Sequence, residues 1–183
     1  MNKKIISIIG VVVVIIGGFI LFSGEKTQTQ NTTPGIAIND VADDSSLDPA
    51  PEFSLKDWDG NDVNLSDFKG RPVIVNSWAV WCPFCVDELP EFGKLQEEFG
   101  DDIVVIAIDR AESSDRQKIF TDRLGVTDKI IFLNDPRDSF YQSIGGFSMP
   151  ETLFVNRDGN INFHKRGSMD LNEMRERANS IIN

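Results

Sequence analysis

Basic charge, histidine and cysteine are all scarce in this 183-residue chain, and each shortage closes off a class of function. Lys and Arg number 18 against 29 Asp and Glu, for a net charge of -11. Such a surface repels phosphate backbones, which argues against a nucleic-acid partner and leaves solubility as the ordinary use of the charge. One histidine and two cysteines cannot supply the usual four ligands of a structural zinc site without added carboxylates. No metal is expected, and His164 reads as a surface or packing residue. Internal repeats are not apparent, so a solenoid or tandem array is not indicated.

What is present fits one domain with attachments. Forty per cent hydrophobic and 26% charged residues can build a core, and the length leaves little room for a second one. Residues 1–4 carry Lys3 and Lys4, and residues 5–22 are almost wholly apolar. At about 1.5 Å per residue that run spans roughly 27 Å as a helix, close to a hydrocarbon core of about 30 Å. The lysines should stay in the cytoplasm, leaving the C-terminal bulk on the far side. A secretory signal would have a shorter apolar region ending in a small-residue cleavage site. No such site follows Phe22, and no cysteine stands nearby to accept lipid. An uncleaved anchor is the expectation and a cleaved leader the alternative; either exports the domain. Residues 23–50, rich in Thr, Gln, Asn, Asp and Ser, read as a solvated tether. The folded domain is expected over 51–183.

Within it, short strands alternate with helices. Residues 53–55 and 63–65 flank Asp59-Gly60 and read as an N-terminal hairpin. The Val-Ile-Val run marks 72–78 as a buried strand, and 103–108 reads as a parallel strand buried on both faces. Leu89, Phe92, Leu95 and Phe99 share one side of a helix over 83–99, in which Pro90 is expected to cause a kink. A helix over 115–124, a strand over 129–133 and a short helix over 138–144 follow. Residues 152–155 and 161–164 bracket Asp158-Gly159 as a second hairpin. Asp170 and Glu173 form a capping box for the last helix, whose buried face is Leu171, Met174, Ala178 and Ile181. The pattern implies an α/β fold, a mixed sheet flanked by helices.

The chemistry-bearing segment is Trp81-Cys82-Pro83-Phe84-Cys85. A strand followed by Cys82 and then a helix puts that sulfur among unpaired amides at a helix N-terminus, where a thiolate is favoured. The thiolate is the nucleophile of disulfide exchange. Three residues of helix bring Cys85 within disulfide reach of Cys82, and Pro83 suits the first helical position. A purely structural bridge is a poor reason for this spacing, because closing so few residues constrains the unfolded chain little.

Trp78-Ala79-Val80-Trp81-Cys82-Pro83-Phe84-Cys85 resembles the active-site signature of the thioredoxin superfamily. The hairpin, the central helix-strand insertion and the continuation Val86-Asp87-Glu88-Leu89-Pro90 are similar to the membrane-anchored TlpA/ResA-like thiol-disulfide oxidoreductases, which carry a redoxin domain. The resemblance implies a thioredoxin-like fold in which Cys82 attacks and Cys85 resolves the mixed disulfide. It implies that Pro150, after Met149, is a cis-proline facing the cysteines, and that Glu88 handles protons beside them. Trp81, Pro83, Phe84 and Met149 become expected substrate contacts, with Trp81 equally readable as a packing aromatic. It further implies no cofactor beyond the Cys82–Cys85 redox pair, protein thiol and disulfide substrates with apocytochrome c among them, and an upstream membrane thiol-disulfide electron donor.

One departure bears on the chemistry. Asn76, six residues before Cys82, stands where cytosolic thioredoxins carry a buried aspartate, and Asn cannot accept a proton. That shifts the expected proton route to Glu88. The rival enzyme is a peroxiredoxin-like peroxidase, which would place a threonine where Ala79 stands. A copper-delivery protein is the non-enzymatic rival, and its relatives usually have one more residue between the cysteines. The Pro83-Phe84 dipeptide has no histidine to stabilise the thiolate, which argues against a strong oxidant and for a reductant.

Overall fold

A computed structural model describes residues 47–182. The expected basic end, membrane segment and most of the tether therefore lie outside the described residues. No helix among the described residues is long and apolar enough to cross a membrane.

Seven strands form one mixed sheet in the order β2-β1-β5-β4-β3-β6-β7. They are β1 (Ser54–Asp57), β2 (Asp62–Asn64), β3 (Val73–Trp78), β4 (Val104–Arg110), β5 (Ile131–Asp135), β6 (Glu151–Val155) and β7 (Ile161–Arg166). The middle strands β3, β4 and β5 run parallel, while β6 is antiparallel to β3 and β1 is antiparallel to β5. Four α-helices accompany them among the described residues: α1 (Pro83–Phe99), α2 (Ser114–Leu124), α3 (Ser139–Ser143) and α4 (Leu171–Ile182). This is a thioredoxin-like α/β architecture.

Strand alternation sorts the core into two layers. Ile74, Val105, Ala107 and Phe154 point to one face, beneath Leu89, Phe92 and Leu95 of α1 and Met174, Ala178 and Ile181 of α4. Val73, Val75, Ile106, Ile108, Leu153 and Val155 point to the other, with Phe53, Leu65 and Phe140. Burial on both faces is why β3 and β4 read as continuous apolar runs rather than alternating ones. Each such side chain withdrawn from water contributes about 1.5–3 kcal/mol, so the central strands are the rigid base of whatever is mounted on them. Trp78 ends β3 fully buried, stacked on Phe120 at 6.1 Å and edge-on to Phe132 at 5.7 Å.

Local departures from the sequence reading have physical causes. The second strand stops at Asn64, and Leu65 opens a single 3-10 turn, Leu65–Phe68, started by a reciprocal Asn64–Asp67 capping box. Leu65 is buried from that turn, so its apolar character mimicked strand alternation. Asp48 to Ala50, expected in the tether, instead pair with the start of β7: Pro49 bridges Asn160, and the Asp48 carbonyl accepts the Ile161 N–H at 2.8 Å. Half of the final capping box forms. Asp170 Oδ1 accepts the Glu173 N–H at 2.9 Å, but the Glu173 carboxylate turns to Lys165 instead of back to the cap. Helix α1 continues to Phe99 through Pro90, which leaves the Val86 carbonyl without its usual helical donor.

Candidate redox site

The site is built where β3 runs out and α1 begins. Cys82 is the N-cap of α1, with extended backbone angles (φ -90°, ψ 108°), and Pro83 follows as the first helical residue. The Cys82 Sγ accepts the Cys85 N–H at 3.2 Å, the position of an ordinary side-chain cap. The two cysteines are joined in a disulfide with a Cα–Cα separation of 5.3 Å, within the usual range, so opening and closing it needs no backbone travel. Cys82 is 3% exposed and Cys85 1%. In the dithiol state a sulfur at this cap has the Cys85 N–H and the positive end of the helix dipole beside it, which favour the thiolate at Cys82.

Opposite lies the start of β6. Ser77 of β3 pairs with Glu151, so Met149 and Pro150 reach the same sheet end as the Ala79 to Cys82 turn. The Met149–Pro150 bond is cis, as the resemblance implied. Met149 packs against the cluster that contains both cysteines.

Glu88 sits one helical turn beyond Cys85 on the same face of α1 and is 2% exposed. An exposed early-helix glutamate is thereby excluded. Its Oε1 accepts the Met169 N–H at 3.1 Å and its Oε2 the Asn76 Nδ2 at 3.4 Å. Asn76 also donates to Thr152 Oγ1 at 3.0 Å. The residue replacing the familiar aspartate is thus joined to the carboxyl expected to take over its work. Burial raises the Glu88 carboxyl to about 8, against the weaker opposing pull of the Met169 and Asn76 donors and of Lys165. It is mainly protonated at neutral pH. Glu88 also lines a groove of about 570 Å³ with Phe84, Asp87, Glu91, Met169 and Asp170, a path between the carboxyl and water.

The flanking aromatics divide by role. Trp78 is the packing residue, whereas Trp81, just before Cys82, and Phe84, between the two cysteines, stand 58% and 61% exposed. Sequence reasoning missed an acidic pair, Asp109 and Glu112. Asp109, at the end of β4 and beside Trp78 in register, is fully buried, and its Oδ1 accepts the Glu112 N–H at 2.8 Å. Glu112 Oε2 accepts the N–H of Val80, two residues before Cys82. Burial, then repulsion from Glu112, holds the Asp109 carboxyl above the ordinary aspartate range. The pair supports the turn that delivers Cys82, and only its place just past a buried strand could have signalled it.

The redoxin family model matches residues 46–182. The chain belongs to the redoxin family. This redoxin chain is 34% identical over 131 residues to the thioredoxin-like protein YneN of Bacillus subtilis, covering 70% of this chain and 75% of that one. It is 26% identical over 133 residues to the thiol-disulfide oxidoreductase ResA of Geobacillus thermodenitrificans, covering 72% and 75%. Among solved structures, a putative thiol:disulfide interchange protein DsbE from Chlorobium tepidum superposes with a TM-score of 0.68 at 24% identity, over 75% of this chain and 97% of that one. Family membership and a cysteine pair at disulfide distance make this redoxin domain an enzyme of the thiol-disulfide oxidoreductase class.

Proposed function

We propose that this redoxin reduces disulfides of protein clients outside the cytoplasm, tethered to the membrane by residues 5–22. The Lys3-Lys4 pair ahead of that apolar run supports the orientation. The observation that carries the reaction is the trio of Cys82 at the α1 cap, Cys85 one turn on, and Glu88 buried beneath them.

The Cys82 thiolate attacks one sulfur of a client disulfide, and the other client sulfur leaves as a thiolate. Cys85 then attacks the Cys82 sulfur of the mixed disulfide, the second client thiol leaves, and the enzyme is left oxidised. Cys85 must lose its proton as it attacks. A free carboxylate is several units too weak a base for a thiol near 8.5. Raised to about 8, Glu88 matches that thiol, so the proton passes with little uphill cost in either direction. Two electrons move through the cysteine pair itself, and a membrane thiol-disulfide donor restores the dithiol. Pro150 and Met149 bound the client backbone, while Trp81, Pro83 and Phe84 form the near rim. The absence of histidine between the cysteines favours the reducing direction, and the resemblance of residues 78–90 to the TlpA/ResA-like group adds apocytochrome c as a client class.

Thiol trapping in cells tests the assignment. Cys85→Ser is expected to accumulate mixed disulfides with client proteins through Cys82, and Cys82→Ser to accumulate none. Equal capture by the two variants would reverse or abolish the attacking and resolving roles.

A further inference from the structure

Between α3 and β6 the chain passes through Gly145, Gly146, Phe147, Ser148 and Met149 before Pro150. Phe147 is 83% exposed, the most exposed large hydrophobic side chain among the described residues. Its backbone is nevertheless pinned on three sides. The Phe147 N–H donates to Glu151 Oε2 at 3.1 Å, and Glu151 is fully buried, its other oxygen accepting Arg166 Nε at 2.8 Å. The Ser148 carbonyl accepts the Tyr141 hydroxyl at 2.9 Å. Gly146 lies against the Tyr141 ring, where a Cβ would overlap the ring carbons. That ring is backed by the Arg110 guanidinium, 3.6 Å from its centroid, and Arg110 is held by Asp138.

A buried carboxylate and a stacked tyrosine are costly means of fixing a surface loop, and neither takes part in thiol exchange. Their joint effect is to hold one phenyl ring out in water on an ordered backbone. A side chain presented this way has lost its backbone freedom before any partner arrives, the condition under which an aromatic contact contributes most to binding. The loop lies at the sheet end that carries Cys82, because Glu151 pairs with Ser77 of β3. Trp81 and Phe84, also exposed, belong to the same end. Cys82 itself is almost covered, so the segment carrying the client sulfur must lie close against this loop to be attacked.

We propose that Phe147 is a specificity-determining residue, receiving an apolar side chain of the client segment beside the cysteine under attack. This rests on the reading of the protein as a reductant of protein disulfides and names the class of segment that it prefers. Clients with Leu, Phe or Val flanking the target cysteine are favoured over those with Ser.

The test uses the full chain, reduced and held in mild detergent, against short peptides whose single cysteine carries 2-nitro-5-thiobenzoate in a mixed disulfide. Cys82 attacks the peptide sulfur and expels the coloured thiolate; Cys85 then displaces the peptide thiol, so the enzyme dithiol is oxidised and both probe sulfurs are reduced. Peptides differ only in flanking residues, Leu or Ser, and each protein serves as its own control through the ratio of the two rates. Covering roughly half a phenyl ring with a leucine corresponds to about tenfold, and that ratio is expected for the unaltered protein. Phe147→Ala should bring the ratio to within about twofold of unity, and Phe147→Leu should keep most of it. A ratio that survives Phe147→Ala, or one near unity in the unaltered protein, overturns this proposal alone. Failure to release nitrothiobenzoate from any peptide or from its symmetrical disulfide overturns the thiol-exchange reading and this proposal with it.

Discussion

Replacing Glu88 with Gln separates the charge of this residue from its size. In the folded protein the carboxyl titrates at about 8, against a usual value of 4.5, because burial penalises the anion. The folded state therefore holds a proton between those two values that the unfolded chain has released. Stability from this group is complete below about pH 4.5 and declines as pH rises through 8. The difference of about 3.5 units corresponds to roughly 5 kcal/mol, a large part of the 5–15 kcal/mol of a typical domain. Glu88→Gln cannot ionise, yet its amide oxygen can still accept the Met169 N–H. The variant should resemble the parent near pH 5 and exceed it increasingly toward pH 9. Urea unfolding of the oxidised protein, followed by tryptophan fluorescence, measures this directly. With a slope near 2 kcal/mol/M, the two midpoints should separate by about 2 M over that range. Thiol exchange supplies the functional half of the experiment: the pH profile of the parent should carry a Glu88 step near 8 in addition to the thiols' own ionisation, and the variant should keep only the latter. Parallel stability curves at all pH values would refute the burial argument, and superimposable exchange profiles would remove Glu88 from the proton path.

Other perturbations have definite signs. Asp109→Asn should flatten the loss of stability that begins as pH rises above the ordinary aspartate range, because burial and Glu112 hold the Asp109 proton in the fold; unfolding scans with and without the substitution read the difference. Gly146→Ala should cost about 1–3 kcal/mol by forcing its new methyl group into the Tyr141 ring, seen as a lower Tm, and an unchanged Tm would mean that the loop is not pinned there. Protease added outside spheroplasts should digest the redoxin domain without membrane lysis; protection until lysis would reverse the proposed orientation.

The redox pair was legible because its chemistry and its local geometry share one short segment: a strand must end and a helix begin for Cys82 and Cys85 to meet. The second hairpin was equally open to reading, since Asp158-Gly159 fixes a turn by backbone preference alone. Glu88 could be placed only through resemblance, because nothing in residues 85–91 announces that its carboxyl will be sealed under Met169 and Asn76. Asp109 and Glu151 escaped notice for the same reason. A charged residue buried by tertiary packing leaves no periodicity in the sequence, and Glu151 is satisfied by Phe147 on one side and Arg166 on the other. Phe147 reverses the ordinary expectation that an aromatic belongs inside, and only the finished loop reveals it.

The two outer strands of the sheet bear on how copies behave when crowded. β2 is three residues long, and its Asp62 is paired with Lys56. At the far side β7 carries Asn162, Lys165 and Arg166, and its pairing with β6 slips at Phe154 and Val155. An open strand of unpaired amides and carbonyls is a template on which a second chain can add. Here brevity at one margin, and charge with broken register at the other, deny that template. Molecules concentrated on a common surface can therefore collide repeatedly without zippering into fibrils, and the same margins refuse the loose strands of unfolded polypeptides. What such polypeptides can meet is the exposed aromatic surface of Trp81, Phe84 and Phe147, at the end of the sheet where the sulfurs are.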